Sequence, residues 1–292
     1  MSEKTNPGAS VRARLLNRAK ADKVEFQLLL TRFALERLLY RLSISPYRDQ
    51  LLLKGALLFD LWFDEPHRPT RDVDFLGFGP AEIPRLEEIF RAICAINVKE
   101  DGITFDPASV KGQEIRKEAN YSGIRIMLLG TLDRAQCPVQ ADIGFGDAVT
   151  PKAEDTNYPV LLEGMPAPTL RVYPRYTVIA EKFEAIVSLG MTNSRMKDFF
   201  DLWVLVQHST LDPVILRDAI IATFNRRGTA LPTTTAIGLS DEFAADGGKQ
   251  TQWRAFVAKN RLSAPLLQEV VTLLRAFLTG ALSARYPAIP RG

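Results

Sequence analysis

Two carboxylates spaced two residues apart are the feature of this sequence that most directly predicts chemistry. Asp72 and Asp74 lie within the segment 70–76, where the neighbouring side chains are mostly apolar. In an extended strand alternate side chains point to the same face, so we expect both carboxylates to lie together. Two like charges on a half-buried strand are costly unless a cation offsets them. The spacing therefore predicts a site for a divalent ion, Mg²⁺ or Mn²⁺.

A turn of small residues precedes the two acids and favours phosphate binding. Lys54-Gly55-Ala56 is followed by an apolar run that predicts a short helix over 56–63. Glycine and alanine would let backbone N–H groups approach a phosphate at the start of that helix. Thr70 and Arg71 are further candidates for nucleotide contacts, although Thr70 could instead simply end the loop. Turn, helix and Asp-x-Asp strand in this order are typical of two-metal nucleotidyl transfer from an NTP.

A third carboxylate is expected from a neighbouring strand. Asp142 is the best candidate for this metal ligand, because it is a lone acid in the apolar strand predicted over 139–143. Asp147 is the alternative, but its glycine-flanked position suits an ordinary turn. Asp142 could also pair with an arginine such as Arg125 instead of binding a metal.

The remaining pattern predicts the elements that must position these side chains. Residues 1–10 are expected to be disordered, and two helices are predicted over 11–42, with a third from Pro80 to about Asn97. Apolar runs predict strands at 72–78, 103–105, 110–116, 124–129 and 139–143, with one more short strand within 158–171. After Thr177 the pattern is helical, at 178–189, 195–208, 213–225, 251–260 and 264–282, and 228–248 is a loop with a short helical turn.

The pattern predicts an α+β front half and a helical back half. We expect a disordered tail at 1–10, an α+β domain with N-terminal helices at 11–174 and a helical domain at 175–292. The chain has 292 residues, of which 46% are hydrophobic and 24% charged, and these values favour a globular protein over a disordered one.

Composition also bounds location and cofactors. No apolar run is long enough to span a bilayer, and the polar residues 1–10 lack the apolar core of a secretory signal. We therefore expect a cytoplasmic protein with no membrane partner. Cys94 and Cys137 are expected to be reduced structural thiols, and two histidines without a Cys/His cluster exclude a structural zinc site. The net charge of +3 is small, and the basic residues within 12–23 and at 226–227 are interpreted first as solvated surface.

Five segments together resemble the nucleotidyltransferase AbiEii/AbiGii toxin family, a branch of the DNA polymerase β-like nucleotidyltransferase superfamily. The matching segments are 54–58, 68–74, 181–185, 195–202 and 223–232. The resemblance implies a polymerase β-like nucleotidyltransferase domain with a mixed sheet, followed by an all-helical C-terminal domain. One departure is Ala56 followed by Leu57, where the family usually has a second glycine and then Ser or Thr. A hydroxyl contact to the nucleotide is lost there, which affects nucleotide preference more than activity.

The resemblance also implies roles for individual residues. Asp72 and Asp74 would bind the metals, and Lys182 would contact the triphosphate. Asp198 and Asp201 would complete the site from the helical half, and their i, i+3 spacing places them on one helix face. Alternatively, these acids pair with Arg195 and Lys197 on the helix surface, and Lys182 is an ordinary solvated lysine.

The implied activity is that of a toxin enzyme. It would transfer a nucleoside monophosphate from an NTP to an acceptor hydroxyl, in some relatives a tRNA 3′ end, and a partner antitoxin would neutralise it. Basic residues of the N-terminal helices would then track RNA phosphates. Two alternatives remain open, namely transfer to a small molecule or a protein side chain, and a non-catalytic nucleotide-binding module.

Overall fold

The computed structural model describes residues 6–63, 68–118 and 121–283. For residues 116–118 and 121–122 it describes the backbone alone. The chain forms two compact units. The first contains the residues up to Gly146 together with Glu154–Val172, and the second contains Asp147–Ala153 and the residues from Tyr173 onward. Each unit is described by itself.

A seven-stranded mixed sheet is the centre of the first unit, in the order β3-β4-β5-β2-β1-β7-β6. The strand β2 pairs parallel with β5 and antiparallel with β1, and β1 pairs parallel with β7. The remaining pairs, β3 with β4, β4 with β5 and β6 with β7, are antiparallel. The strands are β1 Leu51–Lys54, β2 Asp72–Gly77, β3 Ile103–Glu118, β4 Tyr121–Leu132, β5 Ala135–Phe145, β6 Glu154–Asn157 and β7 Thr169–Val172. The mixed sheet expected from the sequence is thus confirmed.

Helices cover one face of this sheet. The helices of the first unit are α1 Pro7–Ala21, α2 Phe26–Ser43, α3 Phe59–Trp62 and α4 Ile83–Cys94. Contacts of α2 with β5 and of α4 with β3 and β4 place these two helices against the sheet. In β5 the residues Cys137, Val139 and Ala141 are buried, whereas Pro138 and Gln140 between them are more open. This alternation shows which face carries the core and leaves the polar residues on the other face.

The disordered tail predicted over residues 1–10 is wrong for residues 7–10, which begin α1. Asn6 caps this helix, because its Oδ1 accepts a hydrogen bond of 3.2 Å from the backbone N–H of Ala9. Pro7 at the first helical position has a φ already suited to the helix. Helix α1 also buries an apolar stripe of Val11, Leu15 and Ala19. Residues 1–5 of the predicted tail lie outside the described residues.

Three further elements differ from the sequence prediction. The strands predicted at 103–105 and 110–116 form the single strand β3, whose pairing with β4 shifts register between Asp106 and Lys111. Pro107 lies within this irregularity, where a missing N–H is tolerated. The helix predicted over 56–63 is a 3-10 turn, Ala56–Leu58, followed by the four-residue α3. The short strand predicted within 158–171 is β7, whereas β6, which precedes that segment, was not predicted.

The second unit is built from helices. They are α5 Arg175–Leu189, α6 Met196–His208, α7 Pro213–Arg227, α8 Asp241–Ala245, α9 Gly247–Asn260 and α10 Leu267–Ser283. Aromatic pairs fill its core, with ring centroids 5.3 Å apart for Phe183–Phe224 and for Phe199–Phe243. Within the described part of the chain, no helix is long and apolar enough to cross a membrane.

Candidate active site

One row of charged side chains crosses four neighbouring strands of the sheet. Asp74 on β2 lies directly opposite Lys54 on β1 and opposite Asp142 on β5. Asp142 in turn lies opposite Arg125 on β4. Directly paired residues of adjacent strands share a face, so these four side chains form one charged row across the sheet. The row has a cation at each end and the two carboxylates in the middle.

The pleat of β2 explains why its two acids point away from the core. Val73 and Phe75 are fully buried, whereas Asp72 and Asp74 are half-buried on the opposite face. Asp72 lies opposite Gln140, one step along the face from the charged row. Both carboxylates therefore lie on the face of the sheet that holds its polar side chains.

Gly55 brings the backbone of the small-residue turn against Asp74. Its φ of +81° is a left-handed conformation that favours glycine. An ideal Cβ at this position would lie 2.3 Å from Asp74 Oδ2, closer than a side chain can approach. Because Ala56 starts a 3-10 turn and α3 has only four residues, any phosphate contact here depends on the N–H groups of a turn.

Thr70 orients the other acid. Its Oγ1 donates a hydrogen bond of 2.8 Å to Asp72 Oδ1. This contact would fix the orientation of a carboxylate that binds a metal, and a nucleotide contact by Thr70 stays a prediction. Arg71, which immediately precedes β2, is exposed.

The candidates for the third carboxylate are both paired with arginines. Arg125 contacts Asp142 through two bonds, Nε to Oδ1 at 2.8 Å and one terminal nitrogen to Oδ2 at 3.0 Å. This is the pairing that the sequence left open as the alternative to metal binding. Asp147 belongs to the second unit and lies 3.2 Å from Arg227.

The residues around Asp72 and Asp74 fit a magnesium ion. Within the described ranges, no group of three or more His, Cys, Asp or Glu side chains is arranged to hold a metal. Mg²⁺ nevertheless binds through one or two carboxylates when water and substrate phosphates supply its other oxygens. Two carboxylates, one of them oriented by Thr70, match that donor set.

In the second unit, two buried acids hold Lys182. Its Nζ lies 2.7 Å from Asp198 Oδ1 and 2.8 Å from Asp201 Oδ2. The side chain of Lys182 is 14% exposed, whereas those of Asp198 and Asp201 are 0% and 1% exposed. The acids are therefore in position to orient the ammonium group, and the lysine is the most exposed of these three side chains.

Arg195 completes this cluster. Its Nε donates a 2.6 Å bond to Asp198 Oδ2, so two cations face two carboxylates. Burial raises the pKa of Asp198, but Lys182 and Arg195 outweigh that effect and hold it below its ordinary value. The pairing of Asp198 with Arg195 is the helix contact that the sequence offered as the alternative interpretation. Asp198 nevertheless also binds Lys182, which lies on another helix.

Two residues that support this cluster, Lys249 and Asn193, were not singled out by any sequence pattern. The buried Lys249 donates a 2.9 Å bond to the backbone carbonyl of Asn193, and Asn193 Oδ1 accepts a 2.8 Å bond from the N–H of Arg195. Together they fix the turn before α6 that presents Arg195. Lys249 is far along the chain from Asn193, and no local pattern relates the two positions.

The interpretation of residues 226–227 as solvated surface is wrong for Arg227. Its guanidinium contacts Glu184 at 2.7 Å, Asp147 at 3.2 Å and Glu181 at 3.5 Å. Burial lowers the pKa of Arg227, but these three carboxylates outweigh it and raise that pKa. Thr229 also donates a 2.6 Å bond to Glu184. The segment 223–232 therefore contributes a buried ionic cluster to the second unit.

The proposed halves of the site belong to different units. Asp72, Asp74 and Gly55 lie in the first, and Lys182 and Asp201 in the second. That they act together stays a prediction, carried by the resemblance of their motifs.

Comparisons with known proteins identify the family. The family model described as nucleotidyl transferase AbiEii toxin, type IV toxin–antitoxin system, matches residues 37–276. Two Helicobacter pylori crystal structures are similar. The first is JHP933, which has 17% identity and a TM-score of 0.49 over 89% of this chain and 93% of that chain. The second is a candidate nucleotidyltransferase, which has 16% identity and a TM-score of 0.47 over 90% of this chain and 97% of that chain. No curated protein matches. Because the family model spans most of the sequence, the chain belongs to the AbiEii family of nucleotidyltransferase toxins of toxin–antitoxin systems.

Proposed function

We propose that this chain transfers a nucleoside monophosphate from an NTP to an acceptor hydroxyl and releases pyrophosphate, a reaction of the EC 2.7.7 type. The observation that carries the proposal is the pair Asp72 and Asp74 on one strand face, with the turn at Gly55 against Asp74. We further propose that the first unit is a polymerase β-like nucleotidyltransferase domain and the second a helical domain that completes its site.

The residues of the first unit would bind and orient the substrate. Asp72 and Asp74 would hold a divalent ion, and such an ion would supply charge neutralisation at the triphosphate and activation of the acceptor hydroxyl. Thr70 keeps Asp72 in one orientation through its 2.8 Å hydrogen bond. The N–H groups at Gly55 and Ala56 approach the phosphates, since glycine leaves their side of the turn open.

The second unit would contribute Lys182 as a contact to the triphosphate. A lysine held by two carboxylates keeps one orientation, and preorganised charge stabilises a transition state at low reorganisation cost. Asp198 and Asp201 would then act through Lys182, because both are buried beneath it. This assigns Asp201 a positioning role in the reaction.

The acceptor we propose is an RNA, in particular the 3′ end of a tRNA. Family membership supports a toxin whose activity arrests growth until a cognate antitoxin counters it. Exposed basic residues of α1, such as Arg12 and Lys20, provide cations that suit an RNA backbone. We place the reaction in the cytoplasm, where NTPs and tRNA are both present.

The proposal is tested by incubating the protein with each labelled NTP, Mg²⁺ and total RNA. We expect label in RNA with the wild type and none with Asp72→Ala, whereas Asp241→Ala, which changes an exposed carboxylate on α8, should behave as wild type. Expression should arrest growth, and Asp72→Ala should relieve the arrest. No transfer with any NTP refutes the proposal, and label in a small molecule or protein supports the alternative acceptors instead.

A further inference from the structure

Arg125 places a cation in the charged row, next to the proposed metal pair. Its bonds to Asp142 use Nε and one terminal nitrogen, so three of its five N–H donors lie outside this pairing. The side chain of Arg125 is 31% exposed, whereas that of Asp142 is 7% exposed. The carboxylate therefore lies beneath the arginine, and the guanidinium is the group that meets solvent.

The pairing reduces what Asp142 can offer a metal. Both carboxylate oxygens face the guanidinium, and the pair as a whole carries no net charge. A divalent ion bound at Asp142 would also lie beside a permanent positive charge, which opposes its binding. The same pairing holds the planar guanidinium in a fixed orientation, as a residue that binds phosphate requires.

Arg125 is close enough to the metal pair to meet a shared ligand. Adjacent strands are about 4.8 Å apart, so Asp74 and Arg125, separated by β5, start roughly 10 Å apart across the sheet. The hydrogen bonds that Arg125 donates to Asp142 raise the pKa of Arg125, burial lowers it, and the charges of Asp142, Asp72 and Asp74 raise it further. The arginine therefore interacts electrostatically with both proposed metal ligands.

We propose that Arg125 binds the triphosphate of the NTP and that Asp142 is a positioning residue for Arg125 instead of the third metal ligand. This inference rests on the proposed function and assigns the phosphate-binding partner on the β4 side of the site. A triphosphate held through an ion at Asp72 and Asp74 would bring its phosphate oxygens near the charged row. The N–H donors of Arg125 outside its pairing with Asp142 match those oxygens in charge.

Binding measurements without turnover separate the two roles of Asp142. Mn²⁺ affinity is measured by electron paramagnetic resonance without nucleotide, and affinity for a non-hydrolysable NTP and for the matching NMP is measured calorimetrically with Mn²⁺. The variants are Arg125→Gln, Asp142→Asn and the double variant, which avoids leaving a buried carboxylate unpaired. Arg134→Gln, an exposed arginine at the turn between β4 and β5, is the matched control.

We expect Arg125→Gln to weaken NTP binding about 10- to 100-fold, with NMP and Mn²⁺ binding close to wild type. Asp142→Asn should weaken NTP binding in the same direction but less, and the double variant should match Arg125→Gln. Arg134→Gln should change none of the three. A large loss of Mn²⁺ affinity in Asp142→Asn would show a metal ligand and overturn the proposal.

Unchanged NTP affinity in both Arg125→Gln and the double variant would also overturn it, whatever their activity. These failures differ from a failure of the proposed function. If the wild type binds neither Mn²⁺ nor NTP, the nucleotidyl-transfer proposal itself is wrong and this inference is wrong with it. If the wild type binds both and neither Arg125→Gln nor the double variant changes NTP affinity, the proposed function stands and the role of Arg125 is wrong.

Discussion

The backbone of Gly55 touches the carboxylate of Asp74, since an ideal Cβ on residue 55 would lie 2.3 Å from Oδ2. The contact joins the small-residue turn to one of the two acids of β2. The contact is a steric reason for glycine at residue 55, in addition to the positive φ of that residue. The turn and the acid therefore form one structural unit, and a change at residue 55 is expected to reach the proposed metal site.

Gly55→Ala is expected to displace Asp74 and to abolish transfer activity. The positive φ costs a non-glycine residue about 1–3 kcal/mol, and the new methyl group also collides with the carboxylate. Mn²⁺ affinity and urea unfolding measure the two effects separately. Gly164→Ala is the control, because Gly164 has a φ of +84° but no atom within 4 Å of its ideal Cβ. Equal Mn²⁺ affinities of the two variants would contradict the steric explanation.

Thr70→Val should weaken metal binding while preserving the fold. Valine has nearly the shape of threonine but cannot donate the 2.8 Å bond to Asp72 Oδ1. Loss of a partner that orients a metal ligand typically costs 10- to 100-fold in affinity or activity. Mn²⁺ titration measures the effect. Thr169→Val removes a similar hydroxyl bond, to Asn157 at 2.7 Å, and should leave Mn²⁺ affinity unchanged.

Asp198→Asn should destabilise the protein at neutral pH and lose this effect in acid. The folded pKa of Asp198 lies below its ordinary value of 3.8, so its ionised form stabilises the fold above that pH. The stabilisation is lost as the pH falls through the lower folded value. Removing one partner of a buried ion pair costs roughly 3 kcal/mol.

Urea unfolding of the wild type and Asp198→Asn at pH 7 and in a series below pH 3.8 measures this difference. Asp241→Asn, at an exposed pair, is the control and should show little change at either pH. If the difference in free energy of unfolding between wild type and Asp198→Asn stays constant down to the acid transition, the buried ionised pair is contradicted.

Both cysteines should resist alkylation in the folded protein. Cys94 and Cys137 are free and buried, as the sequence predicted, and burial raises their pKa to about 12 and about 11. At pH 8 both thiols are then protonated, and the thiolate is the reactive form. Iodoacetamide labelling followed by mass spectrometry should show slow native modification and rapid double labelling in urea. Native labelling as fast as that of a small thiol would contradict these environments.

Local patterns were sufficient to predict the strand of Asp72 and Asp74. Alternation of apolar and polar residues fixes which side chains share a face, so the orientation of both acids follows from a few consecutive positions. The burial of Val73 and Phe75 has the same origin. The 3-10 turn at 56–58 was missed because its apolar residues fit the spacing of an α-helix equally well.

Contacts between distant segments were harder to predict. The pairing of Asp142 with Arg125 was named as an alternative, but choosing between it and metal binding required the register of β4 against β5. The bonds of Lys182 to Asp198 and Asp201 join two helices whose packing no single helix pattern determines. Motif resemblance grouped these residues, and the structure adds that the acids are buried and the lysine is partly exposed.

The position of β2 between β1 and β5 has a consequence for synthesis of the protein. Asp74 on β2 pairs with Asp142 on β5. The strand β2 therefore lacks one of its two neighbours until the chain has emerged from the ribosome beyond Phe145. Pairings of this sequence separation form slowly, since the loop must close before the contact is made. Until then one edge of β2 is unpaired, and Asp72 and Asp74 lack the neighbouring strand β5 and the side chain of Arg125 beyond it. A nascent chain truncated before β5 is therefore expected to be catalytically silent, which delays the onset of activity until translation has passed the sheet.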